Sequence, residues 1–291
     1  MNNDYVILTD SSCDLPAELA AELGLVVLPL TLTMGGKEYA NYLDGREIGF
    51  WEFYQRMRSG EVAVTAAANV ESYLSLAEPI LREGKDLLIL AFSSGLSSTC
   101  QNAMLAAEEL SEKYPERKVL VVDTLCASMG QGLLVYLAAQ QKAAGKTVEE
   151  VRDWAEETKN RLCHWFTVDD LMFLKRGGRI STATALVGTA LGIKPILQVD
   201  STGHLVNTGK ARGRQAALAA LVDRMAETAV DPQDQVVFIS HGDCLDDAKT
   251  VEKLVKQRFK TKKVVISYVG PVIGAHSGPG TLALFYLGQQ R

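Results

Sequence analysis

KDLLILAFSSGLSSTCQNA, residues 85–103, is the stretch from which the rest of the chain can be read. Residues 86–92 form a nearly unbroken apolar run of strand length, the pattern of a strand covered on both faces within a parallel sheet. The run breaks into Ser93-Ser94-Gly95-Leu96-Ser97-Ser98-Thr99, and apolar residues then recur at helical spacing over 100–114. A strand, a short Ser/Gly loop and a helix aim backbone N–H groups and a positive helix end at one point, a geometry suited to an anion. Open α/β sheets hold their ligands at such strand ends. A plain helix cap by Ser97 or Ser98 is the simpler alternative, although four serines and a glycine exceed what a cap needs.

Upstream, residues 4–10 (DYVILTD) read as another buried strand, followed by a helix with Pro16 in its first turn and Gly24 as its stop. Residues 25–33 read as a second strand, Gly35-Gly36 as a turn, and 44–59 as an aromatic-rich helix. Residues 62–69 form an irregular link that carries Thr65, and 70–82 read as a helix containing Pro79. Downstream come a strand over 118–123 and a long helix over 129–144. The next helix opens on a capping box of Thr147 and Glu150. This alternation predicts a first α/β domain, residues 1–162, with a mostly parallel sheet flanked by helices.

Beyond Leu162 the pattern changes. A strand over 163–168 leads to the basic run Lys175-Arg176-Gly177-Gly178-Arg179, a helix over 181–191, and a hairpin of 194–199 with 204–208. Helices over 214–229 and 246–259 alternate with strands over 235–240 and 262–269, and the glycine-rich stretch 270–280 reads as a loop. Hairpins mixed with crossovers predict a second α/β domain with a mixed sheet, residues 163–291, and a ligand cleft between the two.

Composition narrows the function. The chain has 291 residues, 47% hydrophobic and 22% charged, which suits a sizeable core and argues against disorder. A net charge of −5 and no helix-turn-helix signal argue against nucleic acid as a partner. Five scattered cysteines without a Cys-x-x-Cys pair fit a reducing compartment and give no zinc framework. The opening MNNDYVILTD enters a strand with no basic-apolar leader, and no apolar stretch reaches transmembrane length. A cytoplasmic protein is the expectation, with no metal and no cofactor.

Four places collect polar groups where backbone is open: the Ser93–Thr99 loop, Thr65, the segment Gly209-Lys210-Ala211-Arg212-Gly213, and His276 between glycines and Pro279. Each has a bland reading: Thr65 as the cap of the following helix, Arg212 as a surface ion-pair partner. A lone His between Gly and Pro is the hardest to assign to packing. His164, followed by Trp165 and Phe166, reads as structural, and His241 with Asp243 and Cys244 matches no standard metal spacing. No P-loop and no complete G-x-G-x-x-G is present. A hydrolase or transferase with Ser94 or Ser97 as nucleophile and His276 as base is the enzymatic alternative, although FSSGLSS is not a G-x-S-x-G elbow.

Taken together, TDSSCDLP, Thr65, SSGLSST, VDTLCAS, LKRGGRIS, LGIKPIL, GKARGRQAA and GPVIGAHSGPG, in that order, closely resemble the DegV family of bacterial fatty-acid-binding proteins. The resemblance covers essentially the whole chain. It implies a non-catalytic carrier that holds one long-chain fatty acid, of the palmitate class, in a tunnel of the first domain. Thr65, Ser97, Arg212 and His276 match the residues around the carboxylate. It also implies presentation of the acid to a separate ATP-dependent fatty acid kinase, which makes the acyl-phosphate for phospholipid metabolism. Lys175, Arg176 and Arg179, the densest basic cluster, are then the candidates for docking that kinase. Transient contact with a membrane surface is compatible with this role. Two departures stand out: Ala66-Ala67-Ala68 follows Thr65 where the family has Ser-Gln-Pro, and Ser98 replaces a common Gly. On this reading a tail of about fifteen methylenes contributes ~12 kcal/mol gross, at about 0.8 kcal/mol per buried CH2, and the head group sets orientation.

Overall fold

The computed structural model describes residues 4–181 and 192–291. The strands are β1 (Tyr5–Asp10), β2 (Val26–Leu28), β3 (Leu30–Met34), β4 (Lys37–Asn41), β5 (Ala63–Ala66), β6 (Asp86–Ala91), β7 (Val119–Asp123), β8 (Leu162–Thr167), β9 (Ile193–Val199), β10 (Leu205–Arg212), β11 (Val236–His241), β12 (Lys263–Tyr268) and β13 (Leu282–Leu287). The helices described are α1 (Ala17–Glu22), α2 (Phe50–Arg58), α3 (Val70–Arg82), α4 (Thr99–Lys113), α5 (Met129–Ala143), α6 (Val148–Thr158), α7 (Met172–Arg176), α8 (Arg214–Thr228), α9 (Leu245–Phe259) and α10 (Pro271–Ser277). The helix expected over 181–191 lies, all but its first residue, outside the described residues.

The strands make three sheets. The first is all parallel, in the order β2-β1-β6-β7. Its strand β6 explains the apolar run: Leu88 and Leu90 pack toward α5 and α6, while Leu87, Ile89 and Ala91 pack toward α3 and α4. Both faces are covered, so no polar residue interrupts the strand. The second sheet is small and antiparallel, in the order β4-β3-β5. It was not expected from the sequence. Pro29, lacking an N–H, separates β2 from β3, so the single strand read over 25–33 leaves one sheet and joins another. The link carrying Thr65 is correspondingly a strand, β5, with Thr65 opposite Leu32 of β3.

The third sheet is mixed, in the order β10-β9-β8-β13-β11-β12, with β11 and β12 parallel and its other pairs antiparallel. The two large sheets share a core. Helix α5 is buried along most of its length and lies between them, so that Ile7 and Leu90 of the parallel sheet join one apolar cluster with Phe166, Phe238 and Phe285 of the mixed sheet. The capping box at Thr147–Glu150 forms as read, while α3 is capped by Asn69, not by Thr65. Among the described residues no helix is long and apolar enough to cross a membrane.

Candidate functional site

The loop after β6 is held from below. Asp10, at the end of β1, accepts hydrogen bonds from the Phe92 N–H at 3.0 Å, from Ser12 and from the Gln131 amide. It is buried, and desolvation pushes its carboxyl above the ordinary range against those bonds. Asp123 takes the Ser94 N–H at 3.1 Å, and the N–H groups of Leu96 and Ser97 close on the Ser93 carbonyl. These loop amides are therefore occupied by the protein itself, and the side chains carry the polar chemistry. From above, the turn between β9 and β10 clasps the loop: Ser93 donates to the Gly203 carbonyl at 2.9 Å, and a Cβ on Gly95 would fall 2.9 Å from Gly203.

Ser97 lies 2.9 Å from the Thr99 hydroxyl, which in turn accepts the Ala68 N–H at 3.3 Å. That chain of bonds ties the loop to the exit of β5. On β5 itself, Thr65 Oγ1 sits 2.7 Å from His276 Nε2. His276 lies in α10 and not in an open loop: Pro271 pre-sets the first turn and Gly278, at φ +82°, ends it. Gly177, after α7, is pressed against the imidazole, since a Cβ there would fall 2.1 Å from Nδ1. Burial, together with the Arg179 guanidinium nearby, lowers His276 to about 4, so the ring is neutral at ordinary pH. Its Nδ1 has no partner among the described residues, so no carboxylate orients the ring as a general base.

These groups stand at a cavity of about 300 Å³, within the range of small-molecule sites. Thr65, Ser97, His276 and Arg179 are on its wall together. Arg179 is partly buried, which lowers its pKa, and it donates to the Leu96 carbonyl at 3.1 Å and to the Gly177 carbonyl. The rest of the wall is mainly apolar: Leu30, Phe92 and Leu96 on one side, and Phe166, Ala283 and Phe285 of the mixed sheet on the other. Of the apolar run 86–92 only its last residue, Phe92, contributes to the wall, and no residue of α3 does. Ser128 and Ser240 also reach the wall, but they bond each other at 3.0 Å, and Ser128 donates to buried Asp14 at 2.6 Å. Burial pushes Asp14 up to about 8.

The structure brings three of the four expected carboxylate residues to one cavity and leaves the fourth outside. Arg212 ends β10 opposite Ile193, exposed, and is not among the residues of the cavity wall. The cation on the wall is instead Arg179, which the sequence placed with Lys175 and Arg176 on an outer surface. Lys175 is half-buried; Arg176 is exposed, its guanidinium 4.8 Å above the Phe173 ring. Ser94 is exposed and Ser98 sits at the N-cap of α4 without a side-chain cap bond, beside Ala66 and Ala67 on the cavity rim. His241 packs on Tyr268 with ring centroids 4.4 Å apart, and no metal-holding cluster occurs among the described residues. Nothing in the sequence marks Arg179, Ser128 or Ser240 as wall residues, because each reaches the cavity through contacts distant along the chain.

An α/β fold whose two large sheets share one core and whose strand-end loop meets a mainly apolar cavity defines the class. The DegV family profile, described as "Uncharacterised protein, DegV family", matches residues 4–289, and the chain belongs to that family. A DegV domain-containing protein of Clostridium perfringens is 43% identical over 287 residues, covering 99% of this chain and 98% of the relative. A DegV family protein of Thermus thermophilus, described by its fatty acid binding, superposes with a TM-score of 0.88 at 31% identity, over 98% of this chain and 99% of that one. DegV of Bacillus subtilis, a fatty acid binding protein, superposes with a TM-score of 0.84 at 26% identity, over 99% of this chain and 100% of the other.

Proposed function

We propose that this protein is a non-catalytic carrier of one long-chain fatty acid, bound with its carboxylate among Thr65, Ser97, His276 and Arg179 and its tail in the cavity. The observation that carries this reading is the pairing of one polar corner with a mainly apolar cavity of about 300 Å³. A carboxylate leaving water needs charge-assisted donors, and the guanidinium and hydroxyls supply them without a protonated histidine. Residues 1–162 bring the hydroxyls and 163–291 bring the Arg, the His and most of the apolar wall, so the two halves act as the domains that meet at the ligand. Fatty acid binding by the Thermus and Bacillus relatives supports the ligand class.

The same motif series supports presentation of the acid to an ATP-dependent fatty acid kinase in the cytoplasm. Arg176, exposed beside the head-group corner, is the residue best placed to steer an acidic partner surface. The test uses chain-length-graded fatty acids for binding and a fatty acid kinase with ATP for acyl-phosphate formation. Affinity should climb with each methylene until the cavity is filled, and Arg176→Glu should slow acyl-phosphate formation while leaving affinity unchanged. Equal affinity for short and long acids would end the carrier reading, and an unaffected kinase rate would end the docking role.

A further inference from the structure

Arg291 is not on the cavity wall, yet its guanidinium ties together the segments that hold the head-group corner. It is half-buried, and each of its five N–H donors has an acceptor in the protein. Nε donates to the Leu162 carbonyl at 2.8 Å, and Nη2 donates to the Lys159 carbonyl at 2.8 Å and to Cys126 Sγ at 2.9 Å. Nη1 donates to two carbonyls, Leu125 at 2.6 Å and Asp200 at 2.9 Å. No carboxylate is among these five acceptors. The planar fork is therefore a geometric brace and not half of an ion pair.

The two carbonyls on Nη1 belong to the two segments that anchor Ser93. Leu125 precedes Cys126, whose carbonyl accepts the Ser93 N–H at 3.1 Å. Leu125 has φ +52°, a left-handed backbone that a leucine adopts only where its surroundings hold it. Asp200 opens the turn between β9 and β10, and its carbonyl also accepts the Gly203 N–H at 3.0 Å. The Gly203 carbonyl then takes the Ser93 hydroxyl at 2.9 Å. Ser93 passes the constraint on, since its own carbonyl accepts the Ser97 N–H at 3.2 Å. Both routes from the guanidinium thus converge on Ser93 and reach Ser97 on the cavity wall.

We propose that Arg291 is a positioning residue for the head-group corner, holding the 124–128 loop and the β9–β10 turn together so that Ser93, and through it Ser97, stays in place. This rests on the fatty-acid reading of the cavity. Donors recognise a carboxylate only when their positions are fixed, so a loosened brace weakens the head-group bonds more than the tail contacts.

The test compares hexadecanoic acid with hexadecan-1-ol, which has the same tail and no carboxylate, on the wild-type protein, Arg291→Met and Arg291→Lys. The affinity ratio of acid to alcohol should fall about tenfold in Arg291→Met. In Arg291→Lys it should fall about threefold, because one ammonium can bridge the Leu125 and Asp200 carbonyls but not reach the rest. A residue that merely supported the fold would weaken acid and alcohol alike. In a Ser97→Ala background the drop caused by Arg291→Met should shrink to less than about twofold, since the brace then has no hydroxyl to place. If Arg291→Met fails to fold, Arg291→Lys carries the same readings. Without lipid, the Ser93 and Ser97 amides should exchange hydrogen about tenfold faster in the folded variant, while the Glu150 amide at the start of α6 should not. An unchanged ratio, an equal drop in both backgrounds, or unchanged exchange at Ser93 and Ser97 would overturn the proposal. Loss of folding in both variants would overturn it too, because a brace confined to these loops is dispensable to the sheets. A wild-type protein that binds neither acid nor alcohol would instead overturn the fatty-acid reading, and the exchange rates would still decide whether Arg291 holds the loop.

Discussion

The two large sheets serve the cavity in different ways. The parallel sheet is packed on both faces and reaches the ligand through its strand-end loops, above all Ser93–Thr99 at the end of β6. The mixed sheet turns a face to the ligand, with Phe166 of β8 and Ala283 and Phe285 of β13 lying side by side on the wall. A strand end can hold hydroxyls and a helix start in fixed positions, which suits a head group. A sheet face offers a broad apolar surface at regular spacing, which suits a chain. Ser97 and the broad apolar face thus come from different large sheets, while Thr65 comes from β5 of the small sheet and His276 and Arg179 from α10 and the turn after α7. The hydroxyls and the sheet face should fail separately.

The largest effect is expected from the sheet face. Ala283→Trp puts a bulky ring into the cavity from β13, and bound lipid should be lost altogether, measured by extraction of the purified protein. Such overpacking at a cavity wall should lower stability by no more than about 1–3 kcal/mol, which a thermal melt checks. Next come the two hydroxyls: Thr65→Val and Ser97→Ala should each weaken binding by about 1–3 kcal/mol, read in a titration with a fluorescent fatty acid. If either abolished binding while Ala283→Trp did not, the division of labour would be reversed.

A smaller, pH-linked effect comes from His276. Its folded pKa, about 4, lies below the ordinary 6.5, so the unfolded chain takes up the proton first as pH falls. His241 is lowered to about 4 for the same reason, burial. Both contributions are fully present above 6.5 and are lost progressively as pH falls toward 4, so the melting temperature should drop across that window. Across neutral pH the His276 ring should show no titration by NMR; a midpoint near 6.5 would mean a solvated ring and a charged head-group site. The smallest effect is expected at Arg212, exposed and off the cavity wall. Arg212→Ala should leave lipid affinity unchanged, and a tenfold loss would bring Arg212 back to the carboxylate.

Legibility in the sequence divides along the same line. Strand β6 was readable because burial on both faces leaves an uninterrupted apolar run, α6 because its capping box is a local signal, and α3 by its spacing alone, since its cap is Asn69 and not Thr65. The small antiparallel sheet was not. Strand β5 is AVTA, whose alanines carry little strand preference, and it forms because β3 is there to pair with it. Thr65, Ser97 and His276 stood out as polar groups at breaks in pattern. Arg179 did not, since a basic run punctuated by glycines reads as solvated loop. It turns inward because Gly177 lets α7 pack onto His276, a contact between segments far apart in the chain.

Native mass spectrometry of the purified protein, with extraction and identification of the released molecule, tests the central claim most directly. The expected result is a single long-chain fatty acid per chain, present in the wild-type protein and absent from Ala283→Trp. A protein that carries no lipid and takes up none on incubation with long-chain acids, or that retains a polar metabolite in its place, would contradict the account.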